Sequence, residues 1–439
     1  MVLRDLKILD LKPTGGLEKP AGEADRLSYL SEESMKVLFP DKTDNKPEMV
    51  GMGASYSGIT SKINGSITNN LHSNITFDGI SIGNEIGQGE NYGYNNYTTY
   101  IQVKPGTDVA NLEQKIPASS SSMFRIASMS KSFTSLAILQ LRDQGKLRLD
   151  DPVEMYIPAM KGQGLTKDAP VITIRHLMNH SAGFPEDNPW GDRQLGISDE
   201  TFKAMIKKGI TFSTNPGVSY EYSNMGFAML GLIIKNVSGQ SYQSYIKEHI
   251  FKPLGMNNTY WEYTEVPANK LAYGYRWIDN KWVKQPMEHD GAYGAMGGLI
   301  TTLEDFSKYT ALHLSAWPER DETEKGPLKR SSLREMQFPW NISGFNPKYT
   351  YPNGRIGSSF TSYGYGLSFL QDDQGRRSVG HSGGLPGFGS NWRIYPDYDL
   401  GIISFANVTY APASFINLKV LDSLISSTKL SQRKLPASA

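Results

Sequence analysis

The chain has to enclose a helix too apolar to lie in water. Phe133, Leu136, Ala137, Ile138, Leu139 and Leu141 recur at helical spacing, and a helix with so little polar face is stable only inside a protein. Gly145 marks its end, because glycine accepts the positive φ at which helices terminate. At its head stands Ser128-Met129-Ser130-Lys131. Residues three apart share a helix face, so the Lys131 amine reaches the Ser128 hydroxyl. The positive end of the helix dipole favours an alkoxide at the same place. A serine activated by an amine is a nucleophile, and a nucleophile needs a rigid, water-poor seat.

Ser-x-x-Lys recurs at Ser244 to Lys247, Ser426 to Lys429 and Ser431 to Lys434, but those three sit in polar surroundings. Only Ser128 heads an apolar helix. Further on, Tyr222-Ser223-Asn224 follows an Asn215-Pro216-Gly217 turn and precedes a second apolar helix over 226–237. A tyrosine beside an ammonium has its phenolate favoured and suits proton transfer. Asn224 offers an amide to hold Lys131 or a substrate carbonyl. The residues leave open whether Lys131 or Tyr222 takes the Ser128 proton.

Arg377-Ser378-Val379-Gly380-His381-Ser382-Gly383-Gly384 reads as a strand running into glycines, with further strands expected at 391–395 and 400–408. Glycines in a strand often mark close approach of a ligand to backbone. The Gly384 N–H together with the Ser128 N–H is a candidate two-donor oxyanion hole. Gly380 to Gly384 also fits Gly-x-Ser-x-Gly, the nucleophile elbow of α/β-hydrolases, which needs a histidine after the serine. None of the seven histidines follows Ser382. An elbow also turns from strand into helix, whereas strands are expected here.

Ser-x-x-Lys, Tyr-x-Asn and a His-Ser-Gly strand in this order resemble the serine β-lactamase and penicillin-binding-protein family. The blocks around Phe124 to Ser128, Lys146 to Pro158, Ile174 to Gly183, Phe251 to Met256 and Gly297 to Leu299 are similar to its class C branch, so the resemblance spans about residues 120 to 425. It implies an α/β (α+β) β-lactamase/transpeptidase-like fold, an antiparallel sheet flanked by helices plus a mostly helical subdomain. It implies catalysis through an acyl-enzyme by Ser128, Lys131 and Tyr222. Substrate binding then falls to Asn224, His381, Ser382, Gly383 and Gly384, with no metal and no cofactor.

Dedicated β-lactamases of the family usually carry Lys-Thr-Gly where this chain has His381-Ser382-Gly383. Histidine is only partly charged near neutral pH. The expected activity is therefore that of an esterase or transesterase, or of a D-amino-acid peptidase-like enzyme, on a small ester, amide or lactam. A β-lactamase proper is the alternative. A slow, penicillin-sensor-like acyl-binding protein is the alternative of another class.

A net charge of +1 gives no electrostatic case for nucleic acid or an anionic membrane. The absence of cysteine excludes thiol chemistry. No signal peptide or membrane span is visible, so the expected location is cytoplasmic. Three regions are expected: 1–124, with a helix at 25–38, strands at 79–82 and 97–103 and a loop-rich insertion; 125–290, mostly helical; and 291–439, strands and a C-terminal helix over 414–430. His176 and His180 are four apart, but Leu177 stands where a zincin needs Glu, and both are read as structural. Trp190, Tyr293, Phe388 and Trp392 are candidates to hold an apolar acyl group.

An acylating ester probe should add one acyl group to Ser128, mapped by mass spectrometry, and Ser128→Ala should abolish turnover with the fold intact. A label on Ser382 would restore the elbow reading.

Overall fold

The computed structural model describes residues 118–430, apart from 189, 280 and 429, together with the course of four earlier strands. The strands are β1 (Met49–Gly53), β2 (Thr60–Lys62), β3 (Thr76–Glu85), β4 (Asn95–Gln102), β5 (Phe124–Arg125), β6 (Tyr275–Ile278) and β7 (Lys281–Lys284). They continue with β8 (Ile300–Thr301), β9 (Asn341–Thr350), β10 (Ile356–Tyr363), β11 (Ser368–Asp372), β12 (Arg377–Leu385), β13 (Phe388–Tyr395) and β14 (Leu400–Ala406). The main helices are α1 (Lys131–Asp143), α2 (Asn224–Ser238), α3 (Leu303–Leu314) and α4 (Ala413–Thr428). The strands expected at 79–82 and 97–103 fall on β3 and β4, whereas the helix expected at 25–38 lies outside the described residues.

Ten strands form one sheet in the order β2, β1, β4, β3, β14, β13, β12, β11, β10, β9. Every neighbouring pair in it is antiparallel. All eight residues of β13 are buried, which happens when both faces of a strand are covered. On one face Trp392 meets Phe306 and Tyr309 of α3, with ring centroids 5.6 and 5.7 Å away. On the other, Asn417 of α4 donates to Asn391 O and Oδ1 at 3.0 and 2.8 Å. The result is a mixed α/β architecture, an antiparallel sheet between helices with a largely helical region at one side.

Two details depart from the sequence reading. Phe415, read as part of the buried face of α4, is 52% exposed; that face is formed by Asn417, Leu418, Val420, Leu421 and Asp422. Asn417 and Asp422 tolerate burial because they are paired, Asp422 with Arg376 at 3.0 Å. In addition, α3 and a helix at Arg330–Met336 occupy the stretch from 291 where strands were expected to return. Leu303, Phe306 and Leu314 alternate at helical spacing and cover the sheet.

Helix α1 is buried from Lys131 to Leu141, and Phe133 stacks on Tyr309 at 3.8 Å. The helix proper starts at Lys131, so Ser128 sits in a preceding 3₁₀ turn, Ala127–Ser130. Trp392→Ala, which empties the space between sheet and α3, should lower stability by about 3–5 kcal/mol, read from the midpoint of chemical denaturation.

Candidate active site

The turn that carries Ser128 is fixed from three sides. Ile126 N–H donates to Leu299 O at 2.9 Å, Ser390 Oγ of β13 donates to Ile126 O at 2.7 Å, and Ser130 Oγ donates to Ala127 O at 2.7 Å. Between them Ala127 is held at φ 50°, a left-handed conformation that a residue with a Cβ adopts only when its surroundings impose it. Gly383 permits the close fit: a Cβ there would stand 2.2 Å from Ile126 O and 3.1 Å from Ala127 Cβ. The strand glycine thus lets the serine turn lie directly on β12.

Lys131 is fully buried, and its Nζ lies 3.0 Å from Ser128 Oγ, 2.7 Å from Asn224 Oδ1 and 2.8 Å from Met296 O. The amide and peptide oxygens can only accept. A neutral amine gives its two hydrogens to them and turns its lone pair to the Ser128 hydroxyl. Burial drives Lys131 toward that form, pulling its pKa down to about 7 against the opposing pull of the Asp192 and Asp187 carboxylates.

Tyr222 is half-buried with its hydroxyl hydrogen-bonded to Ser128, and Lys131 Nζ lies 4.9 Å from its ring centroid. Burial raises its pKa well above the ordinary value, and the Ser128 bond offsets this only in part. Tyr222 therefore holds its proton while Lys131 is ready to take one. Asn224 opens α2; its Nδ2 donates to Asn188 Oδ1 at 2.6 Å, which fixes Oδ1 toward Lys131. Asp187 accepts from Asn224 N at 2.7 Å and Met225 N at 2.9 Å, satisfying donors that a helix N-terminus leaves free.

On β12, His381 is 5% exposed and both ring nitrogens are engaged. Nδ1 lies 2.5 Å from Ser382 O, which can only accept, so Nδ1 carries the hydrogen and Nε2 accepts from Tyr363 Oη at 2.7 Å. Burial and the nearby Lys131 lower its pKa to about 3. His381 is a neutral wall with no free donor for a substrate. Ser382 is exposed, and its Oγ accepts from Asn391 Nδ2 at 2.9 Å. β12 continues into β13 without the helix that a nucleophile elbow requires. Gly384 is overlain by the Tyr410 ring, where a Cβ would approach to 2.1 Å. The Tyr410 hydroxyl donates to Asp192 across it.

The structure thus brings Ser128, Lys131, Tyr222 and Asn224 into one contact network and lays Gly383 against it. Of the four aromatic candidates, Trp190 is 45% exposed and meets Tyr293 edge-on at 5.9 Å. Phe388 and Trp392 are core residues. His176 serves the capping box of Ile174–Met178 through Thr173, and no metal-binding group of three or more acidic, histidine or cysteine side chains exists among the described residues. Sequence reasoning missed Asp187, Asp192, Tyr363 and Tyr410. An Asp in a Pro-Asn-Asp-rich loop signals a capping role, but not which helix it caps.

A hydroxyl, a buried amine and a phenol in mutual contact have the chemistry that a serine hydrolase needs. The family model described as Beta-lactamase matches residues 88–425. The chain belongs to that family of serine hydrolases, and its fold is the β-lactamase/transpeptidase-like one. It is 27% identical over 317 residues to penicillin-binding protein 4* of Bacillus subtilis, a match covering 68% of this chain and 63% of that one. It is 30% identical over 322 residues to protein flp of Staphylococcus aureus, covering 71% of this chain and 58% of that one. The chain thus spans about three fifths of the length of these relatives. Among solved structures, the octameric penicillin-binding protein homologue from Pyrococcus abyssi is similar at TM-score 0.58 and 30% identity, with 72% and 68% of the two chains covered. The D-amino acid amidase from Ochrobactrum anthropi shares the fold at TM-score 0.57 and 21% identity, with 80% and 94% covered. No helix among the described residues is long and apolar enough to cross a membrane.

Gly383→Ala should displace the Ser128 turn, because a Cβ there would meet both the Ile126 backbone oxygen and the Ser390 Oγ that anchors it, each at 2.2 Å. A shift near 1 Å at the reacting groups predicts a fall in kcat of about a hundredfold, measured beside a near-UV spectrum that shows the tertiary packing retained.

Proposed function

We propose that the protein hydrolyses, or transfers the acyl group of, small esters or amides through an acyl-enzyme on Ser128. Lys131 takes the Ser128 proton as Oγ attacks the carbonyl carbon, and the N–H groups of Ser128 and Gly384 stabilise the oxyanion. Tyr222 gives its proton to the leaving group and regains one from Lys131. Water or an alcohol then attacks the acyl-enzyme by the reverse route. The observation that carries this reading is Lys131 itself, whose two obligate acceptors leave one lone pair for one hydroxyl.

His381 supports a substrate without a carboxylate beside the scissile bond. Its buried, doubly engaged ring presents no fixed charge, unlike the lysine of dedicated β-lactamases. A neutral ester, a D-amino-acid amide or a peptide cleaved away from its C-terminal carboxylate is therefore favoured over a β-lactam. Sustained release of nitrophenol from a short-chain ester supports an enzyme, whereas a single stoichiometric burst identifies a slow acyl-binding protein. Turnover of nitrocefin above that of neutral esters would make β-lactams the substrate class.

The pH dependence follows from Lys131. Below its pKa the amine holds a third proton and cannot act as base; above it the lone pair is free. For neutral esters kcat/KM should rise with pH through an apparent pKa of about 7 and then level off. A profile that stays flat between about pH 5 and 9 would remove Lys131 from the role of base.

A further inference from the structure

His180 combines three features that no ordinary core position needs. Its backbone is held at φ 58° although it is not glycine. Its Nδ1 accepts from Ser223 N–H at 3.1 Å, in the peptide next to Tyr222. Its ring packs against that of Tyr222 at a tilt of 40°, with centroids 4.3 Å apart, and touches Tyr363 at 4.4 Å and Phe227 at 5.1 Å.

Because Nδ1 accepts, the ring hydrogen stands on Nε2, and that buried atom has no hydrogen-bond partner among the described residues. An unpaired buried donor weakens the fold. Phenylalanine would fill the same space without an orphan donor, but would leave Ser223 N–H unpaired. Asparagine would accept that N–H and tolerate the backbone, but has no ring to lay on Tyr222. An imidazole meets both needs, provided it is neutral. Burial and the nearby Lys131 keep it so, holding its pKa well below the ordinary value.

We propose that His180 is a positioning residue that clamps Tyr222, through the neighbouring Ser223 peptide on one side and close ring packing on the other, in the orientation that delivers the phenolic proton to the leaving group. This rests on the reading of Tyr222 as proton donor. A clamp on the donor matters in proportion to the leaving group's need for a proton. Nitrophenolate leaves unaided; an alkoxide or an amine does not.

The test is a series of esters and an amide of one acyl group with leaving groups of rising basicity, run on wild type, His180→Asn, His180→Phe and Tyr222→Phe. In both His180 variants kcat/KM for the nitrophenyl ester should fall by less than about threefold, and for the alkyl ester and the amide by about tenfold or more. A loss uniform across the series, or none, in a folded His180 variant would make the residue merely structural and overturn the proposal. The two variants remove different halves of the clamp, so either one that folds decides it. Tyr222→Phe is the control on the underlying reading: if it too lowers all substrates alike, Tyr222 is not the proton donor. If it steepens the series while the His180 variants do not, only the inference about His180 falls.

Discussion

One buried amine organises this molecule. Placing an ammonium in a protein interior costs several kcal/mol unless it is well coordinated, and Lys131 meets that cost with oxygens from separate parts of the chain. Asn224 lies 93 residues away and Met296 lies 165 residues away. Helix α1 supplies the amine, α2 the amide, and the short Gly294–Gly297 helix the peptide oxygen. The two carboxylates nearby, Asp187 and Asp192, hold the amine at the edge of ionisation. Burial alone would push its pKa further down, and full pairing would hold it as a cation.

The parts of the site that sequence made legible are those set by short-range geometry. Ser128 and Lys131 announce themselves by a three-residue spacing at the head of an apolar helix, and Asn224 by its place at the start of another. Tyr222 became readable through its company with the other motifs. His381 illustrates the limit. Its type suggested a partly charged donor, yet burial and the nearby Lys131 keep it neutral, and the Tyr363 hydroxyl that occupies its Nε2 reaches it only through the way β10, β11 and β12 are aligned. Phe388 and Trp392 misled for a related reason. On a strand covered on both faces, alternation does not distinguish core from pocket. The packing of the His180 ring against Tyr222 likewise depends on tertiary contact between segments 42 residues apart.

Strain is concentrated around the same centre. Of the five non-glycine residues with positive φ among the described residues, Ala127, His180 and Tyr410 surround the site, while Asp279 and Asp399 lie beside strands. Each of the three is held by packing or hydrogen bonds from another element. Such residues persist only where the surrounding structure over-determines them. Replacements that relax them would gain local stability and lose the aim of Ser128, Tyr222 or the strand at Gly384.

The bond from Ser390 Oγ to Ile126 O joins residues 264 positions apart. On a ribosome the helix with Ser128 and Lys131 is finished long before β12 and β13 exist. Until those strands emerge, the serine turn has neither its Ser390 anchor nor the strand it rests on. A nascent or truncated chain therefore carries a harmless serine. The reactive arrangement of the serine turn is completed late in synthesis and together with the closing of the sheet, so incomplete copies of this protein should resist a serine-directed acylating reagent.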